Sequence, residues 1–159
     1  MAYPRTTAGG VAVWDWTFGT KELFVDEPIH AALGYAPDEI GNEVSAWQRL
    51  LHPDDADRIG VQALMLLDGS TPSFETEFRM LHKDGSVRWI VSKGAVTDHL
   101  GGAPIRVTGT FADTTAQNQS AQALRDANDA LVRMGRIAAL AELSASIAHE
   151  LGQPLMSIA

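Results

Sequence analysis

The pattern of apolar and polar residues predicts five β-strands before residue 114. VAVWDWT (11–17) and KELFVD (21–26) flank Phe-Gly-Thr, an arrangement that predicts a hairpin. In PSFETEFRML (72–81), Phe, Thr and Met alternate with Glu and Arg, so this strand should be half-buried. Segments 86–98 and 105–113 supply the last two strands, which follow turns at Lys-Asp-Gly and HLGGAP.

Between the second and third strands, apolar residues recur at helical spacing in three short groups. Prolines and glycines separate the groups, so short helices are expected rather than one long helix. The three groups are Ile29, Leu33 and Ile40; Trp47, Leu50 and Leu51; and Ile59, Leu64 and Leu67. Asp54 or Asp55 is expected to cap the last helix. Two strands, short helices and three strands predict an α+β domain with an antiparallel sheet and helices on one face.

Residues 116–159 predict one long helix that is rich in Ala, Leu and Gln. Apolar or small residues fill heptad positions a and d throughout this segment, which predicts a coiled coil. Position a holds Leu124, Leu131, Ala138, Ala145 and Gly152, and position d holds Ala127, Met134, Ala141, Ala148 and Leu155. We call these residues the a/d seam. The alternative is an amphipathic helix that folds back on its own domain.

A second apolar stripe begins after about residue 136. It consists of Ile137, Leu140, Ile147 and Leu151. One seam suits a two-stranded coil, whereas two apolar faces suit a four-helix bundle. The helix is therefore expected to begin as a dimeric coil and to enter a bundle near Arg136.

Composition narrows the range of functions. The 159 residues suit one domain with an appendage, and 45% of them are hydrophobic. The net charge of -8 disfavours nucleic-acid binding. The sequence has no cysteine, which excludes disulfides, thiolate metal sites and a cysteine nucleophile. No apolar run approaches the roughly 18 residues of a membrane span, and MAYPRTTAGG lacks a signal-peptide core, so a cytoplasmic segment without membrane contact is expected.

Three motifs resemble the signature of a PAS domain over residues 10–115. They are LHPDD (51–55), EFRMLHKDGSVRWI (77–90) and GTFADTT (109–115). The resemblance implies a five-stranded antiparallel sheet with short helices on one face, followed by a long C-terminal helix. It also assigns a signalling role to Asp113 and Thr115. The intervening Thr114 departs from the family, in which an aliphatic residue is usual.

The C-terminal segment RIAALAELSASIAHELGQPLMSIA (136–159) resembles the phosphoacceptor helix of sensor histidine kinases. The family motif H-E-x-x-Q-P-L is met by His149, Glu150, Gln153, Pro154 and Leu155. Gly152 departs from the motif, since relatives often carry Asn there. Together the resemblances imply an N-terminal segment (1–9), a PAS sensor domain (10–115), a coiled-coil signalling linker (116–135), and the first helix of a dimerisation and histidine-phosphotransfer domain (136–159).

The resemblance implies that His149 is the phosphoacceptor, that Glu150 orients it as a base, and that Gln153 can position water for dephosphorylation. His149 falls at heptad position e, beside the seam, where its ring can reach solvent. Pro154 removes a backbone donor and Gly152 costs about 1 kcal/mol relative to Ala, so the pair predicts a bendable point near His149. The alternative is a frayed helix end.

The sequence was also searched for metal-binding and cofactor-binding motifs. The zinc motif H-E-x-x-H fails because Gln153 occupies its last position. His30, His52, His82 and His99 are expected to be structural, and no metal site is predicted. A cysteinyl flavin is excluded, and a haem is disfavoured because residues 54–68 contain no histidine. Plain core is the favoured interpretation of five further residues, and a pocket for a small apolar ligand is the alternative: Phe24, Ile29, Leu33, Trp47 and Phe78.

The motifs together predict the sensory and dimerisation portion of a two-component sensor histidine kinase. The parent protein would use ATP and Mg²⁺, and would pass phosphate from His149 to an aspartate of a response-regulator receiver domain. The expected partners are a second copy, bound through a parallel coiled coil and bundle, that receiver domain, and the parent's own catalytic ATP-binding domain. The sequence contains no such domain, so this segment should be inactive alone. The alternatives are a PAS interaction module and a small-ligand sensor without phosphotransfer.

Overall fold

The computed structural model describes the backbone of residues 10–156 and the side chains of residues 10–152. The elements are β1 (Val11–Thr17), β2 (Glu22–Val25), α1 (Glu27–Ala32), α2 (Pro37–Ile40), α3 (Val44–Gln48), α4 (Pro53–Leu67), β3 (Ser73–Leu81), β4 (Val87–Leu100), β5 (Ala103–Asp113) and α5 (Thr115–Met156). The strands pair antiparallel in the order β2-β1-β5-β4-β3. The predicted α+β class is confirmed. The chain divides into two compact units, of which the first ends at Ala116 and the second begins at Gln117.

One face of the sheet carries the core of the first unit. On β3, Thr76, Phe78 and Met80 are buried, whereas Glu75 and Glu77 are exposed, so the predicted alternation is confirmed. Side chains two residues apart on a strand lie on the same face, which brings these three residues together beneath the helices.

The turn between β4 and β5 is shorter than the sequence suggested. The expected turn was HLGGAP, but Leu100 pairs directly with Ala103 across Gly101 and Gly102. Both glycines have positive φ, at 58° and 85°. A two-residue turn of this kind follows the twist of the strands, so β4 and β5 continue further towards the turn than predicted.

Helix α4 begins differently from the prediction. His52 is the N-cap residue, and its Nδ1 accepts a hydrogen bond from the backbone N–H of Asp54 at 3.3 Å. Pro53 takes the first helical position, where its missing N–H costs nothing. Asp54 and Asp55 therefore lie in the first turn, and the expectation that either one caps the helix was wrong.

The buried face of α4 was also predicted only in part. Leu66 is 3% exposed and Ile59 packs against the core, whereas Leu64 is 62% exposed. Residues seven apart return to the same side of a helix, which places Leu66 rather than Leu64 in line with Ile59.

Helix α5 is continuous from Thr115 to Met156. Its apolar side chains lie on the surface: Leu124 is 72% exposed, Leu131 67% and Met134 67%. Within residues 10–156, we find no helix with the length and apolar character needed to cross a bilayer.

Candidate functional site

A cavity of about 360 Å³ lies between the sheet and helices α3 and α4. Trp14, Phe74 and Phe111 border it from the sheet, and Ile59 and Gln62 border it from α4. Its volume falls within the range of about 300–1,000 Å³ that small-molecule sites occupy.

Several polar atoms in the wall of this cavity have no protein partner. Among the described residues, five buried side-chain nitrogen or oxygen atoms lack a hydrogen bond, and four of them belong to residues that line the cavity. The four are Nε1 of Trp14, Nε1 of Trp16, Oε1 of Gln62 and Oγ of Ser92. A buried polar group without a hydrogen bond costs about 1–3 kcal/mol, so these four groups lower the stability of the first unit.

A glycine pair shapes the wall of the cavity on the sheet side. Gly94 on β4 lies opposite Gly109 on β5. A Cβ atom on Gly94 would lie 2.7 Å from the six-membered ring of Trp14, and one on Gly109 would lie 2.5 Å from it. The indole can therefore occupy this position only because both strands lack side chains there.

The cavity wall differs from the predicted ligand pocket. Trp47 and Phe78 line the cavity, but the other three candidates are not among its lining residues. Ile29 and Leu33 are 1% and 0% exposed and belong to the packed core. Phe24 is 37% exposed, because Leu23 and Val25 are the buried residues of β2. These three residues therefore do not line this cavity.

The residues between β5 and α5 are tied to β4. The backbone N–H of Trp89 donates to Oγ1 of Thr115 at 2.8 Å, and the N–H of Thr114 donates to the carbonyl of Trp89 at 2.8 Å. The side chain of Asp113 accepts a hydrogen bond from the N–H of Thr115 at 2.8 Å. The two residues predicted to signal, Asp113 and Thr115, thus meet at the start of the long helix.

An ion pair connects the cavity helix α4 to the same region. Oδ2 of Asp55 accepts hydrogen bonds from the backbone N–H and Nε of Arg79 at 2.8 and 3.0 Å. The guanidinium of Arg79 also lies 5.7 Å from the ring centroid of Trp89. Hydrogen bonding by the Arg79 side chain lowers the pKa of Asp55 from 3.8 to about 2, against the opposing effect of burial.

Replacing Asp55 with Asn should lower the free energy of unfolding by about 2 kcal/mol at pH 7, since Arg79 loses its charged partner. The folded-state pKa lies below the ordinary value, so the pair stabilises the fold above about pH 4 and the effect is lost as the pH falls towards 2. Urea unfolding should show the wild-type advantage shrinking over that interval.

Asp54→Asn is the matched control for this prediction. The Asp54 side chain is 69% exposed and lies 3.3 Å from Arg79, so its loss should cost less than about 0.5 kcal/mol. A pH-independent difference between wild type and Asp55→Asn would contradict the assignment.

His149 and Glu150 lie exposed on α5, in its C-terminal part. Gly152 is half-buried, and the helix continues beyond it to Met156. The side chains of Gln153 and Pro154 lie outside the described residues, so their predicted roles in dephosphorylation and bending remain predictions.

The other histidines lie in the first unit, whereas His149 lies in the second. His30 is 5% exposed and packs edge-on against Trp47, with ring centroids 5.1 Å apart. His82 contacts Asp84 in the turn between β3 and β4, at 2.8 Å from Nδ1 to the carboxylate. His99 is exposed near the end of β4. In the part of the chain that the structure describes, no group of three or more His, Cys, Asp or Glu is arranged to hold a metal ion.

Comparison with known proteins places this architecture among sensors. A sequence profile of the family described as PAS fold matches residues 22–111. The C4-dicarboxylate transport sensor protein DctS of Rhodobacter capsulatus is 33% identical over 109 residues, which are 67% of this chain and 16% of that protein. The sensor histidine kinase TmoS of Ectopseudomonas mendocina is 26% identical over 154 residues, which are 97% of this chain and 15% of that protein. The chain thus spans about a sixth of the length of these curated relatives.

A solved structure shares the fold. The sensory box histidine kinase/response regulator from Burkholderia thailandensis E264 superposes with a TM-score of 0.63 at 26% identity. The match covers 79% of this chain and 92% of that chain.

Proposed function

Because this chain belongs to the PAS fold family, we propose that it is the sensory and dimerisation portion of a two-component sensor histidine kinase. The order of parts along the chain is the observation that carries the proposal. A sheet with a cavity ends at Asp113, and one uninterrupted helix that bears His149 begins at Thr115. Relatives named as sensors, one of them a sensor histidine kinase, align with 67% and 97% of the chain and support it further.

In the proposed reaction, a ring nitrogen of His149 attacks the γ-phosphorus of ATP. The nitrogen–phosphorus bond forms as the bond to the β–γ bridging oxygen breaks, and ADP leaves. Glu150 accepts a hydrogen bond from the other ring nitrogen and orients the imidazole. The phosphoryl group then passes to an aspartate of a receiver domain. The parent protein, which we place in the cytoplasm, contributes the catalytic domain that would bind ATP and Mg²⁺. Gln153 would position a water molecule for the separate dephosphorylation reaction, in which the phosphoryl group is hydrolysed to inorganic phosphate.

The proposed signal route starts at helix α4, which borders the cavity. Asp55 in its first turn is held by Arg79, whose guanidinium lies over Trp89, and the backbone N–H of Trp89 is bound by Thr115. A shift of α4 would therefore reach the first residue of α5 through contacts of 2.8–5.7 Å. On arrival of the signal, the helix is proposed to bend at Gly152 and Pro154, beside His149.

Dimerisation through the a/d seam completes the proposal. Leu124, Leu131 and Met134 expose 67–72% of their surface on α5, and the seam repeats with heptad spacing. A strict a/d repeat is typical of two helices that pack side by side, so the occupant we propose is a parallel second copy of this chain.

Replacing Leu131 with Lys should convert this dimer to a monomer, because a charge would be buried in the seam of both helices. The matched control is Leu143→Lys, since Leu143 is 58% exposed but belongs to neither the a/d seam nor the second stripe. Light scattering coupled to size exclusion should give a dimer mass for the wild type and the control. A monomeric wild type, or a dimeric Leu131→Lys, would refute the proposed interface.

The competing function is a PAS module that either binds a protein partner or senses a ligand, and in which His149 is incidental. The cavity favours ligand sensing over partner binding. Replacing His149 with Gln in the full-length protein separates the two. An interaction module would keep its output, whereas a kinase would lose it.

A further inference from the structure

Helix α4 presents a stripe of apolar side chains on the surface of the first unit. Val61 is 56% exposed, Leu64 62% and Met65 42%. Residues three and four apart share one face of a helix, so these side chains lie next to one another. None of the three is among the residues that border the cavity. We call Val61, Leu64 and Met65 the outer stripe.

An exposed carboxylate stands at each end of the outer stripe. Asp57 precedes Val61 by one helical turn and Asp68 follows Leu64 by one turn, so both share the face of the stripe. Within the described part of the chain, neither carboxylate forms an ion pair. Hydrogen bonds from the side chain and the backbone N–H of Ser70 lower the pKa of Asp68, which keeps it ionised near neutral pH.

The single cation of helix α4 is engaged elsewhere. Nη1 of Arg58 donates to Oγ1 of Thr76 at 2.7 Å, and Nη2 donates to the backbone carbonyl of Glu77 at 2.8 Å. These bonds hold the guanidinium against β3. The surface of α4 around the outer stripe therefore combines an apolar centre with two negative ends.

We propose that the outer stripe binds an amphipathic helix of a partner protein, in which Lys or Arg residues flank the apolar side chains. A helix fits because the backbone groups of α4 are bonded within the helix, so an extended segment would find no backbone partner. Asp57 and Asp68 lie about 16 Å apart along the axis, which is about three turns of a partner helix. Opposite charges at these two points would fix its position.

The charges disfavour two other occupants of this surface. If a second copy packed its α4 against this one, carboxylates would face carboxylates whether the two helices ran antiparallel or parallel. A membrane surface with anionic headgroups would be repelled by the same carboxylates. A basic helix is the occupant that suits both the apolar centre and the negative ends, and its binding does not depend on the reaction proposed for His149.

Three helical peptides test the proposal on the 159-residue chain. Each has about four turns, held by a side-chain cross-link, with two leucines at its centre. The first carries lysines spaced as Asp57 and Asp68 are, the second carries Glu at those positions, and the third keeps the lysines but has Ser in place of the leucines. Isothermal titration calorimetry should show saturable binding of the first peptide, at least tenfold tighter than of the others. Its affinity should fall as salt is added.

Leu64→Gln tests the apolar part of the surface. It removes the most exposed side chain of the outer stripe and keeps a good helix former, so the first peptide should bind at least fivefold more weakly while the melting temperature stays the same. Leu143→Gln makes the same change at a leucine that is 58% exposed on α5, and it should leave the affinity unchanged.

The double variant Asp57→Asn/Asp68→Asn tests the negative ends. The preference for the Lys peptide over the Glu peptide should fall at least fivefold. Asp38→Asn combined with Asp129→Asn removes the same charge at two exposed positions away from α4, and it should keep the preference.

No saturable binding of the Lys peptide, or equal binding of the Lys and Glu peptides, would overturn the proposal. Wild-type affinity in Leu64→Gln would do the same. Two further measurements cover the other occupants. Binding to vesicles of phosphatidylcholine and phosphatidylglycerol that Leu64→Gln abolishes would assign the stripe to a membrane. A wild-type assembly whose mass falls in Leu64→Gln would assign it to a second copy, and either result would refute a basic helix.

Discussion

Replacing His149 with Gln in the full-length protein is expected to reduce ATP-dependent autophosphorylation to background, a loss of about a thousandfold or more. Glutamine retains a polar side chain of similar reach, but its amide nitrogen is not a nucleophile, whereas a neutral imidazole is one near neutral pH. Transfer to the response regulator should disappear with it. Labelled ATP with full-length wild type and variant measures both steps.

His99→Gln is the control for this variant. His99 is exposed near the end of β4, in the first unit, so the same chemical change there should leave labelling intact. Since His149 lies on the surface of α5, its replacement should not unfold the protein, and circular dichroism of the two variants should match. Persistent label on His149→Gln would show that another residue is the acceptor.

Replacing Gly109 with Ala should lower the free energy of unfolding by about 3 kcal/mol, with a fall of more than about 10 °C in melting temperature. A Cβ atom at this position would lie 2.1 Å from the carbonyl oxygen of Lys93 and 2.5 Å from the Trp14 ring. Neither neighbour can move aside without a loss of stability, because the Lys93 backbone belongs to the β4–β5 pairing and Trp14 is 4% exposed. Thermal and urea unfolding of the first unit would measure the loss.

Gly60→Ala is the matched control. Gly60 lies inside helix α4, and a Cβ atom there would have no neighbour within 4 Å. The same substitution should therefore stabilise the fold by up to about 1 kcal/mol, through helix propensity. An unchanged melting temperature for Gly109→Ala would contradict the claim that Trp14 packs directly against the two glycines.

Local patterns predicted the strands and the long helix because each depends on neighbours in sequence. The alternation along 72–81 identified the buried face of β3, and the a/d repeat identified a helix that runs to Met156. Where the period was ambiguous, the prediction failed. KELFVD is apolar at consecutive positions, so nothing in it indicated that Phe24 faces outward while Leu23 and Val25 face the core.

The cavity depended on contacts between distant segments, which periodicity does not encode. Trp14 meets Gly109 and Gly94 only because β5 lies between β1 and β4 in the sheet. Likewise, the buried carboxylate of Asp15 on β1 pairs with Arg106 on β5, whose Nε donates a hydrogen bond to Oδ1 of Asp15 at 3.0 Å. Two glycines inside strands were the available signal, since such glycines often mark a close approach of other groups.

The candidate phosphoacceptor was the part of the site most visible in the sequence. A short motif on a helix keeps its spacing whatever the tertiary structure, so His149 and Glu150 could be located without knowledge of any contact. The hydrogen bonds of Thr115 to Trp89 and of Asp55 to Arg79 could not be predicted in this way. The partners lie 24–26 residues apart, and only the folded sheet brings them together.

The most direct measurement combines this chain with the isolated catalytic ATP-binding domain of its parent and γ-labelled ATP, beside the full-length protein. We expect label on the wild-type chain that is labile to acid and stable to alkali, as a phosphohistidine is. His149→Gln and a sample without the catalytic domain should carry none. Equal label on wild type and His149→Gln, or no label on either the chain or the full-length protein, would contradict a phosphoacceptor at His149.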